Sequence, residues 1–168
     1  MRKLLTIVVT CLSLAVLSGC QSAQAVKPEE VVVGNTIPDF SLKSLDGKTV
    51  SKDSLKGEVV VLNFWASWCA PCMGEIPELK QVAANSKAKI VGIALDENGV
   101  ETVKPFVESR QINYTVLLGN QDIFQQFNGV GIPYTLILDR AQRIVKIYRG
   151  PVDRESLEAD LRALEQGS

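Results

Sequence analysis

The stretch Val59-Val60-Val61-Leu62-Asn63-Phe64-Trp65-Ala66-Ser67-Trp68-Cys69-Ala70-Pro71-Cys72 decides how the chain is read. Residues 59–65 form a continuous apolar run rich in β-branched and aromatic side chains, the pattern of a strand buried on both faces of a sheet. The run leads directly to two cysteines three positions apart, and residues 73–84 beyond them read as a helix. A pair so spaced at a strand-to-helix corner puts both sulfurs at the first helical turn. Unpaired backbone N–H groups and the helix dipole there favour a thiolate. Cysteines in such motifs titrate at about 7, against about 8.5 for a free thiol. Cys69 is therefore expected to be the nucleophile, with Cys72, further into the helix, resolving the mixed disulfide.

Two other uses of such a pair compete with this one. A zinc or copper site needs further soft or imidazole ligands, and the chain has no histidine at all. A purely structural disulfide closing so short a loop contributes little stability and has no need of a strand-to-helix corner.

Outward from the motif, the apolar pattern alternates from Phe40 through Leu42 and Leu45 to the turn pair Asp46-Gly47 and resumes at Val50, which predicts a short N-terminal hairpin. After the first helix the pattern predicts a strand at 90–95, a helix at about 100–109 and a strand at 114–118. A short helix at 122–127, strands at 135–138 and 144–148, and a C-terminal helix at 153–164 with Asp153 as N-cap complete the order. Alternating strands and helices closed by a hairpin make an α/β sandwich with a mixed central sheet. With 168 residues, 46% of them hydrophobic and 22% charged, one domain suffices. A formal net charge of -1 without like-charge blocks points to no nucleic-acid partner. The missing histidines leave proton handling near neutrality to carboxylates and thiols.

The chain opens with Arg2 and Lys3 before a short apolar segment at 4–17, the form of a secretory signal. Within it Leu17-Ser18-Gly19-Cys20 resembles the bacterial lipobox, which implies lipidation of Cys20 and removal of residues 1–19. The competing reading is an ordinary cleavage after Ala23-Gln24-Ala25, leaving a soluble protein. On the lipobox reading Cys11 is lost and Cys20 is blocked, so Cys69 and Cys72 are the free thiols and no pair remains for a structural disulfide. Residues 20–35 read as a lipidated N-terminus and flexible tether of about 20 Å root-mean-square span, and 36–168 as the folded domain.

From about Gly34 to Leu164 the chain resembles the thioredoxin superfamily, and within it the TlpA/ResA-like, redoxin-related branch of bacterial membrane-anchored thiol-disulfide oxidoreductases. The residues that carry the resemblance are Asn63 through Cys72, Pro77 in the following helix, and Gly131-Ile132-Pro133, which is similar to the family's cis-proline loop. The resemblance implies a thioredoxin-like sandwich in which the span between Ile90 and Leu118 contains the branch's strand-helix insertion. It implies that Ile132 and Pro133 present backbone to a substrate peptide. Trp68 has two readings, a substrate-facing cap over the sulfurs or a rim aromatic, while Trp65 reads as core. Asn63 stands where cytosolic thioredoxins carry a buried aspartate, and Tyr134 where a small hydroxyl residue is commoner. Glu75, three residues after Cys72 on the same helical face, then has two readings: a proton relay for the thiols, as the branch implies, or a solvated carboxylate complementing the helix N-terminus.

The function so implied is reduction of disulfides in exported proteins, among them the haem-attachment cysteines of apocytochrome c, on the outer side of a bacterial membrane. The periplasm is that side in a Gram-negative host. The partners implied are the substrate proteins, a membrane-embedded thiol electron donor and the membrane itself through the lipid, with no cofactor and no metal. A redoxin-type peroxidase is the competing enzyme, because Pro38-Asp39-Phe40 also opens such chains, although Ala66 stands where their threonine precedes the reactive cysteine. A binding module without turnover is the competing non-enzyme.

Overall fold

The computed structural model describes residues 30–166. In chain order the first half runs β1 (Ser41–Ser44), β2 (Thr49–Ser51), a 3₁₀ turn (Asp53–Leu55), β3 (Val60–Trp65), α1 (Ala70–Asn85) and β4 (Lys89–Ala94). The second half runs α2 (Val100–Ser109), β5 (Thr115–Leu118), α3 (Gln121–Gln126), β6 (Tyr134–Leu138), β7 (Ile144–Arg149) and α4 (Arg154–Gln166). The strands form one mixed sheet in the order β2-β1-β5-β4-β3-β6-β7. β3 pairs parallel to β4 and antiparallel to β6, and β4 pairs parallel to β5. The expected thioredoxin-like α/β architecture is present, and β4, α2 and β5 cover the span predicted to contain the insertion.

All six residues of β3 are buried, because the sheet is covered on both faces. Val60, Leu62 and Phe64 point to the face closed by α3 and the N-terminal segment. Val61 and Trp65 point to the face closed by α1, α2 and α4. On the first face Phe64 stands within 5.4 Å of Phe124, 5.2 Å of Phe127 and 5.9 Å of Tyr134, ring centre to ring centre. On the second, Trp65 packs 5.3 Å from Phe106, which docks α2 beside the end of β3.

Three boundaries differ from expectation. The first helix starts at Ala70 rather than 73, with Cys69 as its N-cap and Pro71 in its first turn, where a fixed φ and a missing N–H suit a helix start. The hairpin loop has three residues rather than a two-residue Asp-Gly turn: Gly47 N–H donates to Ser44 O, Ser44 N–H to Lys48 O, and only Gly47, at φ 79°, enters the left-handed region. The packed region also begins before the expected boundary at 36. Val31 is only 2% exposed within the core, and Gly34 N–H and Asn35 O bond to Ile144. Asp153 does cap α4, accepting from Ser156 N at 2.8 Å. The signal segment, Cys20 and the tether to residue 29 lie outside the described residues. No helix among the described residues is long and apolar enough to cross a membrane.

Replacing Phe64 with Ala removes the ring shared by three aromatic partners and is expected to lower stability by about 3–5 kcal/mol. Phe64→Leu, which keeps most of the volume, is expected to lose less than about 2 kcal/mol. Urea unfolding of both variants checks this, and equal losses would mean that retained volume recovers nothing and the ring contacts themselves carry the whole contribution.

Candidate active site

Cys69 leaves β3 through Ala66, Ser67 and Trp68 and caps α1 with its sulfur, which accepts from Cys72 N at 3.3 Å. The two cysteines are joined as a disulfide, with Cα atoms 5.3 Å apart. Cys69 is 5% exposed and Cys72 1%, so Cys69 lies nearer the surface. The N–H that meets Cys69 Sγ in this oxidised form is positioned to stabilise its thiolate after reduction.

The loop before β6 closes the other side. The Ile132–Pro133 bond is cis, and the Ile132 carbonyl lies 3.8 Å from Cys69 Sγ. Trp68, at 71% exposure, stands out over this surface, whereas Trp65 is fully buried. The Tyr134 ring is turned into the core, where its hydroxyl donates to Phe127 O at 3.1 Å, so it contributes nothing to the face beside the sulfurs.

Glu75 is 2% exposed, which removes the solvated reading. Its carboxylate accepts from Asn63 Nδ2 at 3.0 Å, from Val152 N at 3.2 Å and, at the 3.5 Å limit, from Thr135 Oγ1. Each of these donors favours the charged form, yet the loss of water outweighs them together and pushes the carboxyl up to about 7 from an ordinary 4.5. A neutral acid and its carboxylate are therefore both populated near neutral pH, one turn of α1 beyond Cys72.

Around this group three buried polar atoms, Asn63 Oδ1, Trp65 Nε1 and Tyr114 Oη, make no hydrogen bond among the described residues. Burial, with the Glu75 charge as a second cause, pushes the Tyr114 hydroxyl up. Gly92, beside Asn63 in the β3–β4 pairing, leaves the room: a Cβ there would meet Trp65 Nε1 at 2.8 Å and the Tyr114 ring at 3.2 Å. Among the described residues no group of three His, Cys, Asp or Glu side chains could hold a metal.

A redox pair at a helix N-terminus, a cis-proline opposite it and a mixed sheet of this order can be set beside known proteins. Residues 33–147 match the AhpC/TSA family, more than half of the chain. The chain belongs to that family. Within it, the chain is 32% identical over 132 residues to the thioredoxin-like protein YneN of Bacillus subtilis, covering 76% of this chain and 78% of the relative. It is 30% identical over 139 residues to the thiol-disulfide oxidoreductase ResA of Geobacillus thermodenitrificans, covering 80% and 79%. A solved thiol:disulfide interchange protein of the thioredoxin family from Chlorobium tepidum superposes with a TM-score of 0.67 at 30% identity, covering 77% of this chain and 94% of that one. This AhpC/TSA member is a thiol-disulfide oxidoreductase of thioredoxin-like fold, and Cys69 and Cys72 are its redox pair.

The site thus brings together Cys69, Cys72, Glu75, Trp68, Ile132 and Pro133, each singled out in the sequence. Reading the sequence missed Thr135 and Val152, which bond Glu75, and Asp96. The Asp96 carboxylate is buried and accepts from Ser67 N at 3.1 Å and from the Ser67 hydroxyl, so it fixes Ser67, two positions before Cys69. The acidic pair Asp96-Glu97 directly after the apolar strand at 90–95 was the available signal.

Because folding raises the Glu75 pKa, its neutral form is compatible with the fold and its charged form is penalised. The penalty is absent below about pH 4.5 and grows as pH rises through about 7. The oxidised protein is therefore expected to lose stability on the order of 3 kcal/mol across this window, and Glu75→Gln is expected to lack that component. Urea midpoints of both proteins between pH 4.5 and 8 provide the measurement. Parallel curves would show that Glu75 titrates as an ordinary carboxylate.

Proposed function

We propose that this oxidoreductase reduces disulfides of exported proteins on the outer face of a bacterial membrane, held there by lipid on Cys20 and supplied with electrons by a membrane-embedded thiol donor. The observation that carries the reductase reading is the buried Glu75 carboxyl, poised near neutrality beside a helix-capping redox pair. In the forward cycle the Cys69 thiolate attacks one substrate sulfur, the substrate S–S bond breaks, and the departing thiolate takes a proton from solvent. Cys72 then passes its proton to the Glu75 carboxylate and attacks Cys69 Sγ. The second substrate sulfur leaves as a thiolate and takes a proton from solvent, and two electrons have moved from the enzyme to the substrate. The donor dithiol restores Cys69 and Cys72 by the same exchange in reverse.

Trp68, Ile132 and Pro133 are assigned here to holding the substrate chain over Cys69. The resemblance to TlpA/ResA-like proteins supports the exported location and makes apocytochrome c cysteines a natural substrate class. Chain length supports it too, since the roughly 10 residues between Cys20 and the packed Val31 reach at most tens of ångströms, which favours a membrane-bound donor over a diffusing one. Peroxidase chemistry has the family's name in its favour, but a peroxidatic cysteine needs no resolving partner three residues away.

The decisive experiment is a redox titration of the Cys69–Cys72 couple against glutathione and dithiothreitol buffers. A potential near about -270 mV supports a reductase, and one near about -120 mV overturns it in favour of an oxidant. In cells, Cys72→Ser is expected to accumulate mixed disulfides at Cys69, while Cys69→Ser traps nothing. Cys20→Ala is expected to release the protein from the membrane or block its processing.

A further inference from the structure

Beside the disulfide lies a groove of about 610 Å³ that extends away from the sulfurs. Its near wall is Ser67, Trp68 and the loop from Val130 to Ile132, and its far wall is the end of β4 with the starts of α2 and α3. Trp68 and Val130, which is 88% exposed, are two of the five large apolar side chains that the described residues leave open to solvent, and both line this groove. The groove also has a charge: Asp96 and Glu97 line it, and no lysine or arginine does.

The starts of α2 and α3 place partial positive charge at the same wall, at most roughly +0.5 each. Carboxylates in their first turns, Glu101 and Asp122, offset that contribution. Asp96 is committed to Ser67. Glu97 is exposed and forms no ion pair among the described residues, so its charge is free to meet a ligand.

We infer that the groove seats the polypeptide next to the substrate cysteine and contains a subsite for a cationic side chain at Glu97, with Trp68 and Val130 taking an apolar neighbour. The enzyme therefore prefers disulfides flanked by lysine or arginine together with an apolar residue. This inference rests on the reductase reading and adds to it a substrate class.

The test uses two synthetic disulfide-bonded peptides, identical except that two lysines in one replace two glutamates in the other beside the attacked cysteine. The pre-reduced protein is mixed with each, and the rate of its oxidation is divided by the rate at which dithiothreitol reduces the same peptide. That ratio removes the effect of the flanking charges on the disulfide itself. At low salt the lysine peptide is expected to react about tenfold faster, with the preference shrinking toward one in about 1 M salt. Glu97→Lys is expected to abolish or reverse the preference. Glu58→Lys, the same change of charge just before β3 at the opposite end of that strand, is expected to leave it intact. Equal normalised rates for the two peptides overturn the subsite, as does an equal effect of Glu58→Lys, which would assign the preference to overall charge. Failure of both peptides to oxidise the reduced protein overturns the reductase reading instead.

Discussion

The buried carboxyl of Glu75 holds four parts of the molecule in register. It projects from α1 and meets Asn63 on β3, Thr135 on β6 and the backbone of Val152 between β7 and α4. Asn63 in turn donates to Thr135 Oγ1 at 2.9 Å, so the adjacent strands β3 and β6 are tied to each other and to the helix by one buried polar cluster. A carboxyl in that position cannot be replaced by an apolar group without leaving donors unmet. The helix it anchors is the one that Cys69 caps, so the same contacts that fix α1 also fix the sulfurs against the cis-proline loop.

In the proposed cycle this cluster is what handles protons at a site without histidine. Three donors pull the carboxyl toward its charged form and burial pulls it the other way, with burial the larger effect. The result is a group near its midpoint at neutral pH, the condition for passing a proton in either direction with little loss. Asn63 donates to this carboxyl through its amide while remaining uncharged. On the proposed mechanism proton storage shifts from β3, where cytosolic thioredoxins place an aspartate, to α1.

Most of the architecture was legible because its signals are local. The apolar run at 59–65, the spacing of the cysteines and the alternation around Gly47 each depend on near neighbours in the chain. The helix start was misplaced by three residues because an apolar pattern cannot register a cap made by a cysteine, although Pro71 marked the first turn. The polar cluster was half legible: Glu75 and Asn63 stand out as polar residues beside or within the motif, but their contact depends on the packing of α1 across β3. Thr135 and Val152 are far from both in sequence, and nothing in the runs around them distinguishes a hydrogen-bonding partner from a core residue. Asp96 was missed for the same reason, since its role depends on the parallel alignment of β3 and β4, which places the ends of the two strands side by side.

The proposed proton relay depends on Glu75 being a buried acid that titrates near neutrality. The most direct measurement is the side-chain carboxyl resonance of Glu75, followed by NMR across pH in the oxidised protein labelled at glutamate and assigned with Glu75→Gln. A midpoint near 7 is the result predicted here. A midpoint near the ordinary 4.5 would contradict it and remove the proposed proton carrier for the thiols.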